Sequence, residues 1–185
     1  EDFKSLGLVD KIEEHINKVG FSERGHVPIE FYMSEQWFMK MSDLAGPALD
    51  AVSNGQITFH PKHWDKTYYH WMNNIKDWCI SRQLWWGHQI PVWYHNDDSK
   101  KLHVSVEGPS DPENWTRDKD VLDTWASSWL WPMAFHSWPD GSEELKKFYP
   151  TNVLVTGPDI IFFWVARMII TVCEFMDEIP FKDVY

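Results

Sequence analysis

One carboxylate of this chain stands at a position where a ligand-binding acid is common. The run VTGPDIIFFWVARM, residues 155–168, is typical of a buried strand, a sharp turn and a buried helix, with Asp159 at the junction. Open α/β sheets bind ligands beyond the carboxyl ends of their strands, so an acid at this point would face a pocket and accept hydrogen bonds from a ligand. The alternative is helix capping, which stabilises a helix by about 1 kcal/mol without any catalytic role. The run alone favours capping.

Hydrophobic patterns predict the elements that would position this acid. Strand and helix candidates alternate in the second part of the chain, which predicts right-handed crossovers and a mainly parallel sheet. This arrangement is half of a doubly wound α/β fold, without a phosphate-binding loop at its start. The predicted strands cover 89–94, 121–123, 152–155 and 181–185, and the predicted helices cover 34–53, 61–79, 125–135 and 159–176.

Two further motifs change the interpretation of Asp159. ISRQLWWGHQIPVWY spans residues 80–94 and DVLDTWASSWLWP spans residues 120–132. Together with the run around Asp159, they resemble the class I aminoacyl-tRNA synthetases of the branched-aliphatic group. The double tryptophan of RQLWWGH and the DTWxSS run are most similar to the valine-specific members, and they disfavour an isoleucyl-type relative. Three long motifs in the same order are far more specific than one short motif.

The resemblance implies a particular domain organisation. Synthetases of this group split their nucleotide-binding fold with a long editing insertion, and the first half carries an ATP-binding HIGH-type motif that this chain lacks. Residues 1–59 are therefore expected to be the end of the editing insertion with its return linker. Residues 60–185 are expected to be the second half of the split Rossmann-like catalytic domain. We therefore expect the chain to be an internal piece of a larger protein.

The resemblance also implies which residues would form the amino-acid and adenylate side of the synthetic pocket. Asp159 would bind ribose hydroxyls or the substrate ammonium, and Gly157 would allow close approach of the backbone. Trp125, Ile160 and Trp164 would surround the valine side chain, with Ile160 and Trp164 four residues apart on one helix face. No catalytic residue and no metal ligand is expected within this piece, which would be inactive alone.

The implied partners and cofactors belong to the whole enzyme. Such an enzyme activates valine with ATP and Mg²⁺ and transfers it to tRNA(Val), mainly by positioning the reactants and stabilising charge on the phosphates. We expect no cofactor to bind tightly to this piece. We also expect a monomeric protein without membrane association.

Tryptophan content supports a second interpretation. The chain has 185 residues, 13 tryptophans and a net charge of −11, and only the window 59–95 has more basic than acidic residues. The aromatic residues of that window could contact single-stranded RNA, although their helical spacing favours core packing. A non-catalytic Trp-rich binding module would need a coplanar row of exposed indoles. A synthetase would need most of the indoles buried.

The cysteines and the apolar runs indicate in which cellular compartment the protein is expected. Cys79 and Cys173 are far apart in sequence and lack CxxC spacing, which favours a reduced protein without disulfides or structural zinc. The apolar run 160–173 is interrupted by Arg167 and is shorter than the roughly 20 residues of a membrane span. We therefore expect a cytoplasmic protein.

Overall fold

A computed structural model describes residues 2–23 and 25–185, so Glu1, the first residue of the expected editing segment, lies outside the described residues. The chain forms two units, of which the first ends at Glu35 and the second is Gln36–Tyr185. The first unit contains the helix α1 (Asp2–Ser5) and a turn closed by a β-bridge between Phe21 and Pro28. None of its described residues is buried.

The second unit contains the remaining helices and the strands of the described residues. Its helices are α2 (Ala45–Ser53), α3 (Trp64–Asn73), α4 (Trp125–Ser128), α5 (Trp131–Ala134), α6 (Glu143–Phe148) and α7 (Arg167–Met176), with 3₁₀ turns at Pro112–Asn114 and Pro158–Ile160 and a π-helical turn at Ile161–Ala166. Its strands are β1 (Phe38–Met39), β2 (Thr58–Phe59), β3 (Trp78–Cys79), β4 (Ser81–Arg82), β5 (Val92–His95), β6 (Asp98–Val104), β7 (Trp115–Arg117), β8 (Val121–Leu122), β9 (Thr151–Leu154) and β10 (Phe181–Val184). The mixed α/β content agrees with the fold class expected from the sequence.

A small parallel sheet organises the core. Strand β10 lies between β2 and β9 and is parallel to both, with Asp183 opposite Thr58 on one side and Val153 on the other. Helix α7 packs against α2, and its residues 167–172 are all buried. The sheet and these helices share one cluster of buried apolar side chains. The strands predicted at 152–155 and 181–185 are therefore confirmed.

The parallel sheet is smaller than predicted, because two of the predicted strands pair elsewhere. β5 pairs antiparallel with β6 and β7 in a separate three-stranded sheet. β8 pairs antiparallel with β4, through Ser81 opposite Leu122. The prediction that the segments 89–94 and 121–123 join a parallel sheet is wrong, since both segments pair with antiparallel strands instead.

The predicted helix 34–53 forms only as α2. Phe38 and Met39 instead form a strand with β3, and the backbone N–H of Trp37 donates to Ser81 Oγ at 2.8 Å. Pro47 also favours a late start, because proline is tolerated in the first helical turn but disrupts a helix interior. The same pairing places Trp78 in strand β3. The predicted helix 61–79 is therefore shorter than expected and forms only as α3.

The predicted helices 125–135 and 159–176 are also less regular than expected. The first is divided into α4 and α5, and Pro132 lies in the first turn of α5, where its missing N–H has no cost. The second begins with the 3₁₀ turn and continues through the π-helical turn into α7. Among the residues described, no helix combines the length and apolar character needed to cross a bilayer.

Candidate functional site

The turn after β9 carries the predicted acid. The backbone pairing of β9 continues past its end, because Thr156 N–H donates to the Tyr185 carbonyl at 2.9 Å. Gly157 then leads into the 3₁₀ turn Pro158–Ile160. Asp159 is exposed there, and its carboxylate makes no hydrogen bond or ion pair with any residue that the structure describes. The acid is therefore available to a ligand rather than engaged in capping.

The Asp159 carboxylate occupies space that a side chain at position 157 would fill, so this position requires glycine. A Cβ atom added to Gly157 would lie 2.5 Å from Asp159 Oδ1, closer than such atoms ordinarily approach. A side chain at position 157 would therefore displace the Asp159 carboxylate. The glycine makes room for the acid itself, a role that the sequence prediction of close ligand approach did not include.

The three apolar site residues lie close to this turn in the chain or in space. Trp164 Nε1 donates to the Ser128 carbonyl at 3.1 Å, which attaches the π-helical turn to α4. Trp125 begins α4 and stacks on Phe163 with 5.9 Å between ring centroids. Trp125, Ile160 and Trp164 are all half-buried.

The described pockets do not gather all five predicted residues. Trp125 lines a pocket of about 500 Å³, which Ile160 and Trp164 do not line. Gly157 lines a separate pocket of about 120 Å³ beside His60 and Tyr185. Asp159 lines neither of these two pockets. The described chain thus presents the predicted residues on adjoining surfaces rather than in one enclosed site.

An ion pair between the half-buried Arg82 and the buried Asp123 supports the position of Trp125. Arg82 Nη2 donates to Asp123 Oδ2, and Asp123 Oδ1 accepts the Trp125 backbone N–H at 2.7 Å. Arg82 also donates to the carbonyls of Cys79 and Ser81. Arg82 belongs to the ISRQ part of the second motif, and its side chain forms a structural ion pair.

Arg167 is a further charged residue that sequence reasoning noted only as an interruption of an apolar run. Its guanidinium carbon lies 3.6 Å from the centre of the Trp78 ring, and the residue is 6% exposed. Burial lowers the pKa of Arg167 to about 10. A single charged residue within the apolar run 160–173 was the signal that could have indicated a functional or structural role.

Other titratable side chains near the site have structural partners. His60 Nε2 lies 2.7 Å from Asp183 Oδ1, and the His60 ring stacks on Tyr185. Burial raises the pKa of the Cys173 thiol to about 11, so this thiol is not an activated nucleophile. The residues that the structure describes contain no group of three or more His, Cys, Asp or Glu side chains placed to hold a metal ion.

Tryptophan exposure distinguishes the synthetase interpretation from a Trp-rich binding module. Four of the 13 tryptophans are exposed, and the other nine are buried or half-buried. The exposed ones are Trp71, Trp85, Trp86 and Trp131. Trp71 stacks on Phe162 and Trp131 contacts Phe135, so two of the exposed indoles pack against aromatic side chains of the chain itself. The binding-module interpretation is not favoured.

Comparison with known proteins identifies the class. The family model of the tRNA synthetases class I (I, L, M and V) matches residues 9–109 and 99–185, and the chain belongs to this family. Methionyl-tRNA synthetase of Mycobacterium tuberculosis bound by methionyl-adenylate has a similar fold, with a TM-score of 0.64, 16% identity and coverage of 91% of this chain and 29% of that one.

Two similar relatives within the family are both valine–tRNA ligases. The chain is 56% identical to the valine–tRNA ligase of Bacillus licheniformis, over 100% of this chain and 21% of that protein. It is 50% identical to the valine–tRNA ligase of Protochlamydia amoebophila, over 100% of this chain and 20% of that protein. The chain therefore spans about a fifth of the length of these relatives.

Proposed function

We propose that this chain is an internal segment of a valine–tRNA ligase and supplies the amino-acid and adenylate side of its synthetic pocket. The observation that carries the proposal is Asp159, an exposed carboxylate that follows the carboxyl end of a parallel strand and has no partner among the described residues. The similarity of the whole chain to valine–tRNA ligases supports it. The whole enzyme would join valine to tRNA(Val), with ATP as the energy source.

The proposal assigns roles to the five residues named from the sequence. Asp159 accepts hydrogen bonds from ribose hydroxyls or from the valine ammonium, and Gly157 keeps space for that carboxylate. Trp125, Ile160 and Trp164 form the wall against which the valine side chain packs. These residues fit the adenosine and amino-acid parts of the ligands. The described residues do not offer a ligand set for Mg²⁺, so no step of the proposal uses one.

The finer domain organisation is part of the same proposal. Residues 60–185 would be the second half of a split Rossmann-like domain, and residues 1–59 the end of the editing insertion with its return linker. The parallel pairing of β10 with β9 supports the first assignment, and β2, at the end of the segment 1–59, joins the same sheet. In this arrangement the ATP phosphates are held mainly by the other half of the domain. The intact enzyme would act as a cytoplasmic monomer.

A chimeric enzyme tests the function directly. In this chimera the chain replaces the matching segment of the Bacillus licheniformis valine–tRNA ligase, and valine-dependent ATP–pyrophosphate exchange is measured. The 56% identity supports correct assembly, and we expect valine activation to be retained. A well-folded chimera that activates another amino acid in preference to valine would contradict the proposal.

Substrate specificity tests the assignment of Trp164. In the chimera, Trp164→Ala removes a bulky wall, so the ratio of kcat/KM for isoleucine to kcat/KM for valine should rise. The matched control is Trp138→Ala, because Trp138 is also half-buried but packs against a different apolar cluster. If Trp164 only packs the core, both substitutions should lower stability by about 3–5 kcal/mol and leave the ratio unchanged.

A further inference from the structure

The guanidinium group of Arg167 is buried among aromatic rings. Its central carbon lies 3.6 Å from the centre of the Trp78 ring, 5.5 Å from that of Phe162 and 5.8 Å from that of Phe163. Arg167 is 6% exposed, and its Nη1 donates no hydrogen bond to any residue that the structure describes. Contacts between the cation and the ring faces therefore offset only part of the lost hydration.

The position of Arg167 lowers the stability of the fold. A buried donor without an acceptor is unfavourable, and more so when the group is charged. Asp123 does not compensate, because its two oxygens already bind Arg82 and the Trp125 N–H. A buried charge can often be replaced by an apolar side chain of similar size without loss of stability. Packing alone therefore does not explain an arginine at position 167.

The rings that Arg167 contacts join two separate parts of the chain. Phe162 and Phe163 lie in the π-helical turn Ile161–Ala166, and Trp78 lies in strand β3. Arg167 begins α7 directly after that turn. π-Helical turns are rare and occur frequently at functional sites. The arginine thus connects an unusual helical turn to a strand outside the helix.

Two of the same rings also contact the α4 segment. Phe163 stacks on Trp125 at the start of α4, with 5.9 Å between ring centroids. Trp78 meets Trp129, which directly follows α4, edge to face at 5.4 Å. The rings around Arg167 therefore determine the distance between α4 and the π-helical turn.

We propose that Arg167 is a positioning residue that fixes the spacing between two walls of the amino-acid site, Trp125 on α4 and Trp164 on the π-helical turn. Its cation attracts the rings of Phe162 and Phe163 and does not contact substrate. This inference rests on the proposed function, because the spacing matters only if valine binds between these walls. The buried charge lowers stability but keeps the site in one geometry.

Arg167→Met tests the proposal in the chimera. The substitution removes the cation and keeps an unbranched apolar side chain, so the rings can shift relative to α4. We expect kcat/KM for valine to fall about tenfold, as for the loss of one desolvated cation–π contact. The ratio of kcat/KM for isoleucine to that for valine should rise at least about threefold, because the walls no longer exclude the larger side chain as well. The urea midpoint of the 185-residue chain should stay the same or rise.

Arg117→Met is the matched control. Arg117 also lies over a tryptophan ring, that of Trp93, at 5.5 Å, but it donates hydrogen bonds to the carbonyls of Gln89 and Ile90. Its loss should lower the urea midpoint and leave both kinetic measures unchanged. Arg167→Lys keeps the charge without the planar guanidinium, so it should retain more valine activation than Arg167→Met.

Nuclear magnetic resonance provides a readout that does not depend on catalysis. The indole N–H resonances of Trp125 and Trp164 in the isotope-labelled chain are assigned by replacing each tryptophan with phenylalanine. Arg167→Met should shift or broaden both resonances. Arg117→Met should leave them in place.

Three results would overturn the proposal. They are an unchanged isoleucine-to-valine ratio in the folded Arg167→Met chimera, unchanged indole resonances in the Arg167→Met chain, and a fall of its urea midpoint as large as that of Arg117→Met. An Arg167→Met chain that does not fold belongs to the third result, because it would assign Arg167 to packing. Failure of the proposed function would appear in the unaltered chimera, as a preference for another amino acid, so the two proposals can fail separately.

Discussion

Asp123 and Asp159 both follow a strand and precede a helical turn, yet their surroundings are opposite. Asp123 is 7% exposed, and its two oxygens bind Arg82 and the Trp125 backbone N–H. Asp159 is exposed and has no hydrogen-bond or ion-pair partner within the part of the chain that is described. Asp123 stabilises the start of a helix within the protein, whereas the Asp159 carboxylate is available to a ligand.

The residues adjacent in sequence to Asp123 and Asp159 do not explain why one is buried and paired and the other is exposed. The partner that engages Asp123, Arg82, is 41 residues away in the sequence. The capping interpretation considered for Asp159 describes Asp123 instead, since Asp123 receives an N–H of the following helical turn. An aspartate at a strand end is therefore a candidate ligand-binding residue only when it forms neither an ion pair with a basic residue distant in sequence nor a hydrogen bond with a nearby backbone N–H.

The largest expected effect concerns the exposed aspartate. Asp159→Asn in the chimera removes the charge that accepts hydrogen bonds from substrate, so kcat/KM for valine-dependent exchange should fall about 100-fold, the equivalent of one or two charge-assisted hydrogen bonds. The melting temperature should stay the same. The control is Asp140→Asn, a substitution at an exposed turn aspartate, which should leave exchange unchanged. Equal activity of the Asp159→Asn and Asp140→Asn variants would show that Asp159 does not bind a ligand, and the contrast drawn with Asp123 would then be lost.

The second effect concerns the buried aspartate. Asp123→Ala leaves Arg82 without its ion pair and the Trp125 N–H without its acceptor, so the free energy of unfolding of the 185-residue chain should fall by about 2–3 kcal/mol. This value lies below the range for a fully buried pair, because the Arg82 side chain is 39% exposed. Urea denaturation provides the measurement. Asp123→Asn keeps an acceptor for Trp125 and should cost less, whereas an equal cost would assign the whole effect to the charge.

A third experiment connects Gly157 to Asp159. Gly157→Ala should displace the Asp159 carboxylate and lower kcat/KM of the chimera about tenfold, while stability changes little because the carboxylate can rotate away. The same substitution in the Asp159→Asn background should have almost no additional effect. Full additivity of the two losses would show that Gly157 acts independently of the acid.

The smallest effect separates helix capping from ligand binding. Ser142 Oγ accepts the Leu145 backbone N–H at 3.0 Å at the start of α6, so Ser142→Ala should cost about 1 kcal/mol of unfolding free energy. Asp159→Ala should cost less than about 0.5 kcal/mol, as is usual for surface substitutions. Chemical denaturation of both variants measures the difference. A similar loss in both would restore the capping interpretation of Asp159.

Two of the three parallel strands were predicted from the sequence, whereas the antiparallel sheet was not. The structure contains the predicted strands at β9 and β10, but the short strand β2 was not predicted. β6 has the sequence DSKKLHV and is almost entirely exposed, so it lacks the alternation of apolar residues that marks a half-buried strand. Its pairing with β5 depends on the turn at residues 96 and 97 and on backbone hydrogen bonds rather than on burial.

The candidate site was predictable in part for a similar reason. Asp159 and its turn were indicated by the local sequence and by the family motifs. The buried Arg167 was visible in the sequence only as an interruption, because its contact with Trp78 joins segments about 90 residues apart. Likewise, residues 34–44 were predicted as helix because their helical spacing was considered without the strand partner that β3 provides.

The π-helical turn Ile161–Ala166 also has a consequence for how the protein tolerates changes in length. Such a turn holds more residues than an α-helical turn, with hydrogen bonds from i to i+5. Deleting one residue from it would allow an ordinary α-helix, but would rotate everything before it by about 100° relative to α7. Asp159 would then face a new direction although no residue of the acid turn had changed. The orientation of the acid is therefore set by residue count, so a deletion there should be far less tolerated than a conservative substitution.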